Sequence, residues 1–307
     1  MEALLPNANP ALAGAIDTDK LGLEEKKSIR VLVSIPNEGH APVESYANRL
    51  VNMMHLGKLE ERQKLFNLID KHFKDEESKQ KLLIEYWEGK EPDYQKILDG
   101  KIFDFYFYTV GRILTPLARE KAAEEAVRGN FDYLYQIDDD MICPDDLFER
   151  LYRHNVDIVS PLAFTRNPPY FPVAYENREY WDSKNSSMTF VNDTIKNYPK
   201  NVLFRTDANG FGAVLIKVDI IRKMKQPWFM STTGTGEDIL FCYKATKAGA
   251  KVYMDSSTKL GHLSHPIQVT EEYATDYWNK NNLEIEKKNG IYEKYVDVKN
   301  KVLLGDR

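Results

Sequence analysis

Three adjacent carboxylates, Asp138, Asp139 and Asp140, follow a short apolar run at residues 133–137. Like charges repel, and partial burial at a strand end strengthens the repulsion unless protons or a cation compensate. Carboxylate oxygens suit Mg²⁺ or Mn²⁺, which take few protein ligands and complete their coordination with phosphates and water. The triplet therefore predicts a divalent cation acting on a nucleoside diphosphate. The alternative is a capped, solvated acidic turn.

A second acidic pair, Glu237 and Asp238, opens a predicted helix that starts at Gly236. Asp238 lies on the apolar face of that helix, three, four and seven residues before Phe241, Cys242 and Ala245. The helical phase of Glu237 places its side chain nearer the rim of the site. An inward carboxylate could take a proton from a hydroxyl group. The alternative is that both acids only complement the positive end of the helix dipole.

A histidine and two arginines complete the charged candidates. His262 follows a predicted strand, but a lone histidine is often only a satisfied polar residue, and its spacing to His265 is no metal signature. As a ligand, imidazole would favour Mn²⁺ over Ca²⁺. Arg112 and Arg119 follow the second predicted strand, where guanidinium groups could meet a phosphate or base, or form surface ion pairs.

Three other side chains have a structural and a functional interpretation. Trp228 and Phe229 could stack on a sugar ring, although core packing is the commoner role of such aromatics. Cys143 is near enough to the triplet to suggest a thiolate ligand, but a buried inert thiol is favoured.

The elements that must position these residues alternate between strands and helices. The pattern predicts strands at 29–35, 102–108, 133–137, 156–160, 213–216 and 251–254, and helices at 42–57, 116–127, 144–151, 218–224 and 236–248. Residues 161–204 are predicted to be loop-rich, with short strands at most, and to shape specificity. The expected fold is an α/β sheet, parallel in its first half, with ligands beyond the strands' carboxyl ends.

The domain organisation follows from the same pattern. We expect a flexible leader at 1–27, a catalytic domain at 28–265 with a helical insertion at about 58–100, and a helical C-terminal extension at 266–307. The leader has neither a basic start nor an uninterrupted apolar stretch, so no signal peptide or transmembrane segment is predicted. Contact with a membrane surface stays open.

Composition narrows the function classes. The 307 residues are 42% hydrophobic, which is enough apolar material for one large core or two smaller ones. A net charge of -5 gives no basic field for a polyanion, so nucleic acid is not an expected partner. Two cysteines are too few for a disulfide framework and suit a reducing, cytoplasmic setting.

Taken together, residues 29–265 resemble the GT-A-type glycosyltransferases, especially the family 2-like, inverting, DxD-containing group. The resemblance lies in the order and spacing of several short motifs. They are the first strand into Pro36-Asn37-Glu38, Ala118-Arg119, IDDDM at 137–141, NGFGAVLI at 209–216, GEDILFC at 236–242 and Gly261-His262.

The resemblance implies a role for each candidate. The triplet takes the place of the DxD motif, with Asp138 at the nucleotide, Asp140 and His262 at the metal, and Asp138 also counted among the metal ligands. Asp139 shares either the nucleotide contact or the metal contact. Asp238, beside Glu237, matches the general base. The remaining matches are to nucleotide-sugar contacts, at Pro36, Asn37, Glu38, Arg112, Arg119, Gly210 and Gly212.

Two features depart from the family pattern. The insertion at about 58–100 is longer than usual, and Arg119 is followed by Glu120 where asparagine is common. Both put the nucleotide preference in doubt.

The expected fold is thus a single GT-A (Rossmann-like) domain with a mixed central sheet, the insertion and the helical tail. The expected activity moves a sugar from a UDP- or GDP-sugar to a hydroxyl of a carbohydrate, glycolipid or protein, with Mn²⁺ or Mg²⁺ and inversion. One alternative is a nucleotidyltransferase, which releases pyrophosphate. Another is a nucleotide-sugar-binding module without turnover.

Overall fold

The structure is a computed structural model that describes residues 28–37, 45, 47–57, 59, 60, 103–111, 113–183, 186–232, 234–264, 267–281 and 283. The predicted leader, nearly all of the predicted helical insertion and the end of the predicted extension lie outside the described residues.

The described strands are numbered along the chain. They are β1 (Ile29–Asn37), β2 (Phe103–Gly111), β3 (Tyr133–Ile137), β4 (Met141–Ile142), β5 (Ile158–Leu162), β6 (Ala174–Asp182), β7 (Ser187–Thr194), β8 (Leu203–Thr206), β9 (Ala208–Asn209), β10 (Ala213–Lys217), β11 (Val252–Lys259), β12 (Gly261–Ser264) and β13 (Ile267–Val269). The helices are α1 (47–57), α2 (Thr115–Arg128), α3 (Leu147–Tyr152), α4 (Val218–Arg222), α5 (Glu237–Lys247) and α6 (Glu271–Lys280).

A mixed sheet of seven strands forms the centre of the fold, in the order β2-β1-β3-β10-β5-β11-β8. β1 pairs in parallel with β2 and β3, and β5 pairs in parallel with β11. β10 is antiparallel to both β3 and β5. The predicted α/β class, with a mixed sheet that is parallel in its first half, is confirmed.

Alternate side chains of the central strands supply two core layers, because successive residues of a strand point to opposite faces. On one face Val31 and Tyr135 pack with Phe103 and Phe148. The rings of Phe103 and Phe148 meet edge to face at 5.3 Å. On the other face, Leu32 and Leu134 pack under α2 and α5, the two helices that carry the candidate site.

Helices α2 and α5 lie close to the sheet because small or apolar side chains line their inner faces. α2 has a proline in its first turn, which suits a position without an amide donor, and buries a stripe of alanines at 118, 122, 123 and 126. α5 buries Phe241, Cys242 and Ala245, as its helical phase predicts. Gly249, with φ of 92°, follows its last turn.

The prediction that residues 161–204 contain short strands at most is wrong. β6 and β7 have 9 and 8 residues and form a continuous antiparallel hairpin from Tyr175↔Thr194 to Asp182↔Ser187. The prolines that suggested a loop lie at the ends of the region, and the stretch between Pro172 and Pro199 has none. That stretch is rich in aromatic residues and threonine, which favour strands.

A small sheet of β13, β12 and β4 lies beside the end of β3. Its register pairs His262 with Met141 and Gly261 with Ile142, and the Leu263 amide donates to the Asp140 carbonyl at 2.9 Å. This sheet brings the histidine to the acidic turn. Strands of two to four residues carry no usable periodicity, so the sequence did not predict it.

The last described helix packs onto the loop that follows β5. Trp278 Nε1 of α6 donates to the Pro169 carbonyl at 2.6 Å, and the Tyr170 ring meets those of Tyr273 and Tyr277 at 5.2 and 4.9 Å. Among the helices that the structure describes, none combines the length and apolar composition needed to cross a bilayer.

Candidate functional site

The acidic triplet forms the turn between β3 and β4 and is held in place by backbone contacts. The Asp138 amide donates to the Gly212 carbonyl at 2.8 Å. Ser45 Oγ donates to the Asp139 carbonyl, and the Asn48 amide group bonds both the N–H and the C=O of Cys143, at 2.8 and 2.9 Å. The turn is therefore fixed before any ligand contributes.

His262 and Asp140 converge on one point at the rim of the site. His262 Nε2 lies 3.1 Å from Asp140 Oδ2, and Nδ1 lies 2.6 Å from the Phe164 carbonyl. A carbonyl only accepts, so Nδ1 donates to Phe164; the hydrogen bond to Asp140 needs a second proton on Nε2, and a ring without that proton offers the Nε2 lone pair to a metal ion. Burial opposes ionisation of Asp140, but the hydrogen bond and charge of His262, together with Arg166, hold its pKa below the ordinary value.

This pair fits a hard divalent cation that also binds phosphate. A carboxylate oxygen and an imidazole nitrogen can each coordinate a cation, and the side chains of Asp140 and His262 are 15% and 13% exposed, which leaves the outer side open. Among the described residues, no group of three or more His, Cys, Asp or Glu side chains could hold a metal ion. Asp140 and His262 would therefore supply only part of a coordination shell, and phosphates and water would supply the rest.

Asp138, the third predicted ligand, instead faces Arg119. Arg119 Nη2 contacts both carboxylate oxygens of Asp138, at 2.7 and 2.9 Å. Burial raises the pKa of Asp138 to about 7, against the lowering effect of Arg119, and Asp140 and Glu237 add to the rise. Asp138 therefore becomes more readily ionised when further positive charge enters the turn.

Arg119 is the buried centre of the site. Its side chain is 2% exposed and also donates from Nε to Glu237 at 3.1 Å, from Nη1 to Gln136 at 3.3 Å, and from Nη2 to the Phe211 carbonyl at 3.1 Å. The surface ion pair considered for this arginine is therefore excluded. One guanidinium joins the acidic turn, the loop before β10 and the start of α5.

Asp238 and Glu237 occupy the first turn of α5. Asp238 Oδ1 accepts from the Ile239 amide at 2.7 Å. Burial raises the pKa of Asp238 to about 6, Glu237 adds to the rise and Arg119 opposes it. Glu237 lies deeper than its helical phase predicts, with 15% of its side chain exposed, because its carboxylate reaches Arg119. A carboxyl group with this pKa can exchange a proton near neutral pH.

Three glycines near the site lie where the chain packs closely, and one of them adjoins the Asp238 carboxylate. A Cβ on Gly236 would lie 2.8 Å from Asp238 Oδ1, and a Cβ on Gly210 would lie 2.8 Å from Val173 Cβ. A Cβ on Gly212 would meet the end of the flexible Met141 side chain. Both Gly210 and Gly212 lie in the loop that enters β10, where Gly210 packs against Val173 and Gly212 against the acidic turn.

The remaining predicted residues are placed as follows. Pro36 is buried near the end of β1, and Asn37 is the last residue of that strand. Glu38, Arg112 and His265 lie outside the described residues.

For the two aromatic residues and the thiol, the structure supports the packing role over the functional one. Trp228 and Phe229 are buried, and Phe229 stacks on Phe241 with ring centroids 4.4 Å apart. Burial raises the pKa of the Cys143 thiol to about 12, so this buried thiol stays protonated. Glu120, the departure from the family pattern, accepts from the Trp228 and Phe229 amides at 3.1 and 2.6 Å. Its role is to anchor the loop before α5.

Two residues of the site, Gln136 and Arg166, were missed by sequence reasoning. Gln136 carried a signal, since it is a polar residue in an otherwise apolar and aromatic strand directly before the triplet. Arg119 was predicted as a site residue but not as a buried one, although it shares a helix face with Ala122, Ala123 and Ala126, which indicates an arginine directed at the sheet. Arg166 had no signal, because it lies in an irregular loop and reaches Asp140 only through tertiary structure.

Replacing Arg119 by alanine is expected to lower the free energy of unfolding by about 3 kcal/mol. This is the lower end of the cost of breaking a buried ion pair, since Asp138 keeps some contact with solvent. The loss should shrink below pH 6, where Asp138 and Asp238 take up protons. Urea unfolding at pH 8 and pH 5 measures both effects.

Arg128→Ala provides the matched control, because Arg128 is 78% exposed and pairs with Glu125 on the same helix. Its effect should stay within about 0.5 kcal/mol. Equal losses in the two variants at pH 8 would contradict the central role given to Arg119.

Comparison with known proteins adds no family assignment. No protein-family model matches the sequence, and no curated protein matches it. Similar solved structures include A197 from STIV, with a TM-score of 0.38 and 14% identity over 79% of this chain and 94% of that chain.

Two other structural neighbours were determined with nucleotide or nucleotide sugar. A UDP-glucose pyrophosphorylase complexed with UDP-glucose has a TM-score of 0.38 and 12% identity, over 83% of this chain and 99% of that chain. GalNAc-T7 with UDP, GalNAc and Mn²⁺ has a TM-score of 0.33 and 17% identity, over 56% of this chain and 35% of that chain. This chain therefore spans about a third of GalNAc-T7.

Proposed function

We propose that the protein is a metal-dependent glycosyltransferase that uses a nucleoside diphosphate sugar and inverts the anomeric configuration. One observation carries the proposal: Arg119 bonds Asp138 of the acidic turn and Glu237 at the start of α5. That contact supports the proposal, because it holds the turn that carries Asp140 and the helix that carries Asp238 at the same edge of the sheet. Transfer between a diphosphate donor and a hydroxyl acceptor needs both groups.

The donor end of the site consists of Asp140, His262 and the turn that carries them. Asp140 and His262 would hold Mn²⁺ or Mg²⁺. A bound cation would neutralise the charge that develops on the leaving diphosphate. Phe164 fixes the ring of His262 through Nδ1, so Nε2 remains available as the ligand atom. Asp138 and Asp139 would contact the nucleotide, together with Pro36 near the end of β1, the strand that pairs with β3.

The acceptor end consists of Asp238 and the glycine loop. Asp238 takes the proton from the acceptor hydroxyl, and the acceptor oxygen forms a bond to the anomeric carbon. The bond from that carbon to the diphosphate oxygen breaks, and the nucleoside diphosphate leaves with the electron pair. A single displacement of this kind inverts the configuration. Glu237 and Arg119 set the charge around Asp238.

A panel of UDP- and GDP-sugars, each with Mn²⁺, Mg²⁺ or chelator, tests the class of activity. We expect release of nucleoside diphosphate from one donor with metal and none with chelator, together with thermal stabilisation by that donor. Release of pyrophosphate from a nucleoside triphosphate and a sugar phosphate would instead identify a nucleotidyltransferase. Stabilisation without any release over long incubation would identify a binding module.

The pH dependence of turnover follows from the raised pKa of Asp238. A general base acts in its ionised form, so kcat should rise with pH through about 6 and level off above it. Below that value the expected fall is about tenfold for each pH unit. Rates between pH 4.5 and 8.5 with saturating donor and metal measure the profile.

Asp138 also has a raised pKa, so the assignment needs a control. If the fall of kcat at low pH reflects protonation of Asp238, the residual activity of Asp138→Asn still falls at low pH. The residual activity of Asp238→Asn then shows no such fall. If the fall of kcat at low pH is lost in Asp138→Asn and kept in Asp238→Asn, the role given to Asp238 is contradicted.

A further inference from the structure

Arg166 and His262 contact the same carboxylate oxygen of Asp140. Arg166 Nη1 lies 3.0 Å from Asp140 Oδ2, the atom that lies 3.1 Å from His262 Nε2. The Arg166 side chain is 58% exposed, whereas that of Asp140 is only 15% exposed. An exposed guanidinium therefore reaches a sheltered carboxylate at the point where a metal ion would bind.

The backbone that carries Arg166 is anchored on both sides. The Thr165 amide donates to the Phe171 carbonyl at 2.9 Å, and Phe164 pairs with Pro172. On the far side, Trp278 of α6 bonds the Pro169 carbonyl. Movement of the guanidinium therefore needs only a change of side-chain rotamer, which an exposed arginine makes quickly.

We propose that Arg166 competes with the divalent cation for Asp140 and, once displaced, contacts the diphosphate of the donor. A guanidinium and a cation both need Asp140 Oδ2, so binding of one weakens binding of the other. The displaced guanidinium stays within a side chain's length of the cation position. A diphosphate held there presents oxygens that match the planar donor fork of arginine.

The second part of this inference rests on the proposed use of a nucleoside diphosphate, whereas the competition for Asp140 does not. Arg166 thereby becomes a leaving-group contact that is withheld from the substrate until the metal is bound. Metal and nucleotide binding should consequently support each other, because the metal releases the arginine that the nucleotide needs.

Titration of the full-length protein with Mn²⁺ alone, followed by electron paramagnetic resonance, tests the competition. Arg166→Ala should bind Mn²⁺ about two- to fivefold more tightly than the wild type, the range expected for loss of an exposed ion pair. With Mn²⁺ saturating, the same variant should bind UDP or GDP about tenfold more weakly, since a charge-assisted hydrogen bond is lost. Arg166→Lys keeps the charge and should recover only part of the nucleotide affinity.

Arg128→Ala removes an exposed, paired arginine elsewhere and should change neither affinity. Unchanged Mn²⁺ binding in Arg166→Ala would overturn the competition. Tighter Mn²⁺ binding with unchanged UDP and GDP binding would overturn the diphosphate contact. If Arg166→Ala shows both differences but the wild type releases no nucleoside diphosphate from any nucleotide sugar, the proposed function is refuted and the inference stands. A wild type that binds no Mn²⁺ would overturn both.

Discussion

Asp238→Asn is expected to lower kcat by about 10²- to 10⁴-fold, the usual contribution of a general base, while donor affinity changes little. Asparagine keeps the size of the side chain and the oxygen that accepts from the Ile239 amide, but it cannot take a proton. The fold should survive, because the substitution removes a partly buried charge whose pKa is already raised by burial. Steady-state rates with saturating donor, and donor binding by calorimetry, separate catalysis from binding.

Asp219→Asn is the matched control for Asp238. Asp219 also lies in the first turn of a helix, but its side chain is 78% exposed and pairs with Arg222 on the same helix. It should retain wild-type turnover. If Asp238→Asn behaves like Asp219→Asn, another group accepts the proton and the assignment of the base is wrong.

Asp140→Ala should lower turnover by about 10²- to 10³-fold, since the metal contributes several kcal/mol of charge stabilisation in the transition state. The residual rate should no longer respond to chelator, which would distinguish loss of the metal from a general defect. Stability should change little, because the Leu263 amide bonds the backbone carbonyl of residue 140 and not its side chain. Rates with Mn²⁺, Mg²⁺ and chelator, beside a thermal unfolding curve, provide the measurement.

Asp146→Ala controls for loss of a carboxylate in the same region. Asp146 lies six residues further along, pairs with Arg150 and faces solvent. Its activity should match that of the wild type with each metal. Full activity of Asp140→Ala, both with and without chelator, would remove the metal from the mechanism.

Sequence reasoning works best here where a pattern is local. β3 has the predicted bounds, and α2 and α5 differ from their predictions by one residue or so, since periodicity and helix-end signals lie within each segment. The acidic turn follows from the same logic, because a strand's end is visible in the sequence. The parallel pairing of the first strands could also be predicted, because alternating strands and helices build parallel sheets.

Most of the parts that failed depend on contacts between distant segments, and the local hairpin of β6 and β7 is the exception. The hairpin of β6 and β7 was obscured by prolines that mark only its flanks. The pairing of β4 with β12 rests on a register across the chain, which no short window contains. The deep position of Glu237 depends on Arg119, so a helical wheel drawn for α5 alone places it at the rim.

The chain separation of the paired residues has a consequence for how the protein folds. Arg119 and Glu237 are 118 positions apart, and Asp140 and His262 are 122 positions apart. Contacts of such range form late and slowly, since closing long loops must precede any gain from the contact. No fragment or early folding intermediate that lacks α5 and β12 holds these pairs. Recovery of ligand binding during refolding therefore reports completion of the whole sheet.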